Sequence, residues 1–496
     1  MVAGRTPAPA LSPRGRGGTL RRPESAVPDP SVPPSSSTHA FGREARALLG
    51  LGVPIILSQV ALVAAGLLDT VMSGQAGAFE QAVVGLGVSL WIPVFIGLMS
   101  VVQALSTIVA HHFGAGDRDA VARDAREGIW LALYCGLVPL LLVPFAPPLL
   151  IALRIDPALA QRTGVFLWGI VLGLPAALVY RALTFYSSSI NQTRPVMVLA
   201  WIGLGVNGFL NWVLIYGHFG LPAMGGAGCG WATGIGMWVS LAALAAWTAR
   251  APAYKPYYLW RGWRRPAWVA QKQLLRLGLP MGGAGVAEVA AFCSVAVLVG
   301  RFGDVQIAAN QIALNFSALI FMVPMGISAA ITVRVGHALG AGDPRAARHV
   351  AWSGIVVGLV FASLAILPIV ALRHAAASLY SADPAVQALA AQLLLFAAVW
   401  QLFDATQVCA IGGLRGYKVT VLPMVLMICA FWGLGVPVGV WLGWYGALGS
   451  GPLKVVGFWA GLVTGLVAVS VGLAAGLRHV ANAAMRQMRA ASVNKP

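Results

Sequence analysis

Three carboxylates stand inside stretches otherwise built from apolar residues: Asp69 in LVAAGLLDTVMSG, Glu288 in GGAGVAEVAAF and Asp404 in FAAVWQLFDATQVCAIGGLRGYK. Near the centre of a membrane helix one such acid opposes insertion by about 2.5 to 3.5 kcal/mol, and three together by roughly 8 to 10 kcal/mol. Acids kept there face a partner, a cavity or an ion path, which points to a transporter whose intramembrane carboxylates bind a proton or a small cation. Asn207 and Asn211 lie one helical turn apart, a polar pair of the kind that joins helices by hydrogen bonds. His111, His112 and His337 stand beside two GAGD tetrads, where helix capping or interface contact is the expectation over metal ligation. Enzyme chemistry has no footing. HExxH, GxSxG and Cys/His clusters are missing, and without a Walker-type GxxxxGK[ST] there is no ATP-driven step.

The elements that must hold these residues are set by composition. Hydrophobic residues make up 58% of the 496, and charged residues only 10%, against about 25% in a soluble domain. Twelve apolar spans begin near residues 50, 83, 129, 163, 196, 227, 276, 308, 351, 387, 420 and 453. In hydrocarbon the backbone must satisfy its own hydrogen bonds, and continuous apolar runs that do not alternate do so as helices. The expected class is therefore an all-α polytopic membrane protein. The net charge of +18 belongs to connections between spans and not to a nucleic-acid face, because no basic surface interleaved with base-stacking aromatics is present. The terminal tails and even connections carry 26 Lys and Arg and the odd connections 5, which predicts that both termini are cytoplasmic. Trp260, Trp263 and Trp268, among the basic residues of the long sixth connection, read as an interfacial belt on anionic headgroups. Gly225 to Gly230, GGAGCG, has no preceding strand and reads as close helix packing, not as a dinucleotide loop. The five cysteines are scattered singly and read as reduced packing residues.

An internal repeat divides the chain. FIGLMSVVQALSTIVAHHFGAGD (95–117) aligns without gaps on FMVPMGISAAITVRVGHALGAGD (321–343) with 9 of 23 positions identical, and the same 226-residue offset places Pro54 on Pro280. An offset of six spans leaves both halves in one orientation, related by an axis along the membrane normal. The expected organisation is a disordered tail (1–41), a six-helix lobe (42–250), a cytoplasmic connection (251–273), a second six-helix lobe (274–480) and a cytoplasmic tail (481–496). The acids break the repeat: Asp69 falls on Val295 and Glu288 on Leu62, while Asp404 has no acidic counterpart near Leu178. That asymmetry marks them as functional additions and not scaffold.

The motifs LLDTVMSG, LGLPMGGAGVAEVAAF, VNGFLNWVLIYGHFG, the paired GAGD loops and WQLFDATQVCAIGGLRGYK together resemble the NorM-type branch of the multidrug and toxic compound extrusion (MATE) family, over roughly residues 45–480. The resemblance implies two six-helix bundles in the bacterial cytoplasmic membrane and efflux of cationic amphiphilic drugs and dyes in exchange for inward Na⁺ or H⁺. It implies no cofactor and no obligate protein partner. It also implies a cation site at Glu288 and Asp404, and a polar cluster of Asp69 with Asn207 and Asn211. Where such relatives usually offer a tyrosine one turn before Asp404, this chain has Trp400, which supplies a donor N–H and no oxygen ligand. Na⁺ wants several oxygens and a proton needs only the acids, so both coupling ions stay open. Trp400 and Phe403 are the candidates for cation–π contact with a drug. The rival cargo is a lipid-linked saccharide precursor, carried by flippases that need an Arg- and Lys-rich cavity. Here the intramembrane charges are mainly acidic, with Arg181 the chief exception.

Overall fold

Aspartates mark where four of the long helices begin. Asp117, Asp156, Asp343 and Asp383 each accept a hydrogen bond from a backbone N–H of the first helical turn, satisfying a donor that has no partner inside the helix. In the computed structural model, which describes residues 37–446 and 451–493, this punctuation separates twelve helices long and apolar enough to cross a membrane. They are α1 (Phe41–Ala76), α2 (Ala78–Gly114), α3 (Arg118–Ala152), α4 (Pro157–Ser189), α5 (Arg194–Tyr216) and α6 (Gly226–Arg250), followed by α7 (Trp268–Phe302), α8 (Asp304–Gly340), α9 (Pro344–Tyr380), α10 (Pro384–Gly416), α11 (Val421–Trp444) and α12 (Lys454–Ala490). There is no strand among the described residues. The protein is an all-α, multi-pass membrane protein, as its composition requires. The expected tail at 1–41 lies outside the described residues as far as 36, and a helix has begun by Ser37. At the other end the last helix runs on to Val493, through most of the stretch expected as a tail.

Two clusters of buried apolar side chains correspond to the two halves. One runs through α2–α6 and takes in Leu274 and Met281 from the start of α7. The other runs through the rest of α7 and α8–α12, and takes in Leu48 and Leu51 of α1 and Ala110 of α2. Each half therefore reaches across to hold the first turns of the other half's first helix. A Cβ on Gly278 of α7 would lie 2.4 Å from the carbonyl oxygen of Val101 on α2. The repeat-related Gly52 of α1 faces Gly326 and Ile327 of α8. Glu44 and Arg334 add an ion pair at 2.6 Å between α1 and α8.

The connection before α7 is fastened to α3. Arg126 donates to the carbonyls of Tyr258, Leu259 and Gly262 at 3.4, 3.1 and 3.1 Å. Glu127 accepts from the Ala267 N–H at 2.9 Å and from Gln271 Nε2 at 2.6 Å, placing an anion at the start of α7. Trp260 donates to Thr248, and Trp263 packs edge-on to Trp130 of α3. Trp268 is 73% exposed.

Candidate ion and substrate site

Residues 401, 404 and 407 are spaced at intervals of three, so they run along one side of α10. Gln401, Asp404 and Gln407 are all buried, at 0%, 2% and 0% exposure. α10 is held close to α8 there: Ser328 Oγ donates to the Val408 carbonyl at 2.6 Å and Thr332 Oγ1 to the Gly412 carbonyl at 2.9 Å. Gln407 Nε2 reaches across to α7 and donates to Glu288 Oε1 at 3.2 Å. Glu288 is half-buried and lies within electrostatic reach of Asp404.

Oxygens in this group stay unpaired. Among the described residues, Asp404 Oδ2, Gln407 Oε1 and both polar atoms of Gln401 are buried with no hydrogen-bond partner. Buried polar atoms are almost always paired, because leaving one unpaired costs about 1 to 3 kcal/mol. Asp404, Gln407 and the Glu288 that Gln407 contacts carry hard oxygens of the kind a proton or an alkali cation takes, and Gln401 lies about one turn before Asp404 on the same helix. Trp400 takes no part in it. Its ring packs on Phe292 and Trp459 at 5.4 and 6.1 Å between centroids, and Trp459 is anchored in turn by Asn310 Oδ1 at 2.9 Å. Phe403 is partly buried against the same core.

The acid of the N-terminal half has the opposite character. Asp69 Oδ1 accepts from Asn211 Nδ2 at 2.6 Å and its Oδ2 from Thr233 Oγ1 at 3.4 Å. Asn211 Nδ2 also donates to Asn207 Oδ1, and Asn207 Nδ2 to Thr233 Oγ1. This network ties α1, α5 and α6 together with the carboxylate as its hub. Asn211→Leu takes away the shortest of these bonds and strands an acid. We expect it to lower the thermal unfolding midpoint in detergent, by the equivalent of about 1 to 3 kcal/mol, as read in a thermal-shift assay.

The structure thus brings Glu288 and Asp404 together in one half, and Asp69, Asn207 and Asn211 in the other. Sequence reading alone missed Gln401, Gln407 and Thr233. The available signal for the glutamines was their spacing about Asp404 inside an apolar run, since an amide there also needs a partner.

The MatE family model matches residues 54–213 and 280–441 of the chain. The chain is 41% identical over 424 residues to a probable multidrug resistance protein NorM of Chromobacterium violaceum, covering 85% of this chain and 91% of that protein. It is also 41% identical over 448 residues to the multidrug resistance protein PmpM of Pseudomonas aeruginosa, covering 90% and 93%. The fold is similar to the crystal structure of the eukaryotic MATE transporter AtDTX14, with a TM-score of 0.80 at 20% identity over 90% of this chain and 99% of that one. A transporter of the MOP superfamily from Pyrococcus furiosus superposes with a TM-score of 0.79 at 18% identity.

Proposed function

The chain belongs to the MatE family of membrane transporters, and from that premise we propose that it is a multidrug efflux antiporter. It exports cationic amphiphilic drugs and dyes in exchange for inward Na⁺ or H⁺, with both termini in the cytoplasm of a bacterial cell. The observation that carries this reading is that Asp404, Gln401 and Gln407 are buried with oxygens left unpaired, beside the half-buried Glu288 that Gln407 contacts. A cation or proton there pairs with some of those oxygens and cancels one carboxylate charge. The site then attracts a cationic drug less, so ion and drug compete for the same charge and binding of one favours the state that releases the other. Phe403 supplies aromatic contact to the drug, with Trp400 held in its stack on the same helix. Asp69, Asn207 and Asn211 form the polar cluster of the other lobe. No enzyme chemistry and no protein partner are required.

The lipid-precursor reading asks for free cations to hold pyrophosphate. The two arginines nearest such a role have different partners, Arg181 donating to Gln59 Oε1 at 3.3 Å and Arg415 to Gln103 Oε1 at 3.1 Å, and Asp69, Glu288 and Asp404 outnumber them in the spans. The test is ethidium transport in proteoliposomes under a Na⁺ gradient and a pH gradient imposed separately. Transport driven by one of them, and lost when that gradient is collapsed, is expected. Transport driven by neither overturns the antiport reading.

A further inference from the structure

His111 and His337 lie 226 residues apart, the offset of the repeat. His111, on α2, places Nε2 at 2.8 Å from the carbonyl oxygen of Gly416, the last residue of α10. His337, on α8, places Nε2 at 2.7 Å from the carbonyl oxygen of Ser189, the last residue of α4. A carbonyl oxygen only accepts, so each ring donates through Nε2, and each caps a helix C-terminus that has no acceptor use left within its own helix. Each bond crosses from one half to the other, and in opposite directions.

The backbones beneath the rings meet with the same reciprocity. A Cβ on Gly114 would lie 2.1 Å from the His337 carbonyl oxygen, and a Cβ on Gly340 2.0 Å from that of His111. Ala110 and Gly336, one turn earlier, also face each other. The small residues let α2 and α8 cross backbone to backbone, which brings each ring within reach of the other half. Arg415 adds its bond to Gln103 at the same end of the molecule. The inter-lobe hydrogen bonds described so far gather on this side of the acids, the side of the GAGD loops.

We propose that His111 and His337 are a paired latch that holds the two lobes shut at the GAGD end and must release for the transporter to open there. The two bonds are related by the repeat, and His337 also packs against Phe113 at 4.7 Å between ring centroids. This places them outside the ion site and assigns them to the equilibrium between the two facing states.

The test is amide hydrogen exchange of the full-length protein in lipid nanodiscs, with His111→Leu, His337→Leu, the double Leu variant and the double Gln variant. Leu fills space without a donor, whereas Gln keeps an N–H. Loss of both bonds is expected to speed exchange at 185–192 and 411–418 by about 30-fold, and loss of either one by about fivefold. Exchange around Asp69 and Asn211 should stay as in the wild type, and the Gln pair should return most of the protection. If the double Leu variant does not fold, the two single variants carry the test through the protection that each loses. Unchanged protection in a folded Leu variant, or a Gln pair as unprotected as the Leu pair, overturns the latch. The readout does not depend on drug transport, so failure of the antiport reading would leave this result standing.

Discussion

Asp404→Asn and Glu288→Gln are each expected to abolish ion-coupled efflux while the protein remains inserted and folded. Both changes keep the size of the side chain and its hydrogen-bonding reach, and both delete the charge. A coupling free energy of about 1 to 3 kcal/mol between ion and drug corresponds to a 5- to 150-fold effect on affinity, and with it lost ethidium efflux should fall to the vector background. Stability should move the other way or not at all, because a neutral amide at a buried position escapes the desolvation cost of a carboxylate beside a second acid. The pair of readouts separates a functional acid from a structural one. Efflux lost with the thermal midpoint held or raised supports the site, and unchanged drug resistance in both variants would sink it.

The second large effect is on assembly. α4 and α6 are in backbone contact along a line of glycines: a Cβ on Gly230 would lie 2.2 Å from the Phe166 carbonyl oxygen, and one on Gly234 2.1 Å from that of Gly169. The obstacle in each case is a backbone atom of a packed helix, which cannot rotate away. Overpacking of a core costs about 1 to 3 kcal/mol even where side chains can give. Gly230→Val and Gly234→Val should therefore reduce folded, monodisperse protein at least about tenfold by fluorescence-detected size-exclusion chromatography. Gly236→Val is the matched control on the same helix, since nothing lies within 4 Å of its added Cβ. Equal yields from all three would mean that the α4–α6 contact does not limit folding.

Apolar run length carries the helix count, because the hydrocarbon thickness imposes it. Helix ends are a different matter. The apolar run of α3 starts near 129, but the helix starts at Arg118 behind the Asp117 cap, and its first turns bury Ala120, Val121 and Ala122 while Arg118, Asp119 and Arg123 stay exposed. The glycines at 225–230 read correctly as close packing, since that reading needs only a residue without a side chain in an apolar stretch. Asn207 and Asn211 were legible as a polar pair one turn apart, while their grouping with Asp69 came from the family resemblance. Gln401 and Gln407 were not, because a single amide in a helix carries no charge to draw notice, and its burial is a property of three helices together. Helix capping or interface contact was the expectation for His111 and His337, but the carbonyls they reach were out of sight, since every residue has one and no sequence distinguishes them.

Pro54 and Pro280 are repeat-related, and each lies two residues beyond the glycine at which its helix crosses to the other half. The first helix of each half is thus packed at its base on a neighbour's helices and at its far end on its own. Two copies of a single six-helix chain related by a twofold axis would meet the contacts at Gly52 and Gly278, each copy lending the base of its first helix to the other. The surface between the halves follows the pattern of an isologous dimer written as one polypeptide. In such an arrangement neither half has a complete interior by itself, and the tether of 251–267 to α3 serves to keep two already interlocked partners in a fixed ratio of one to one.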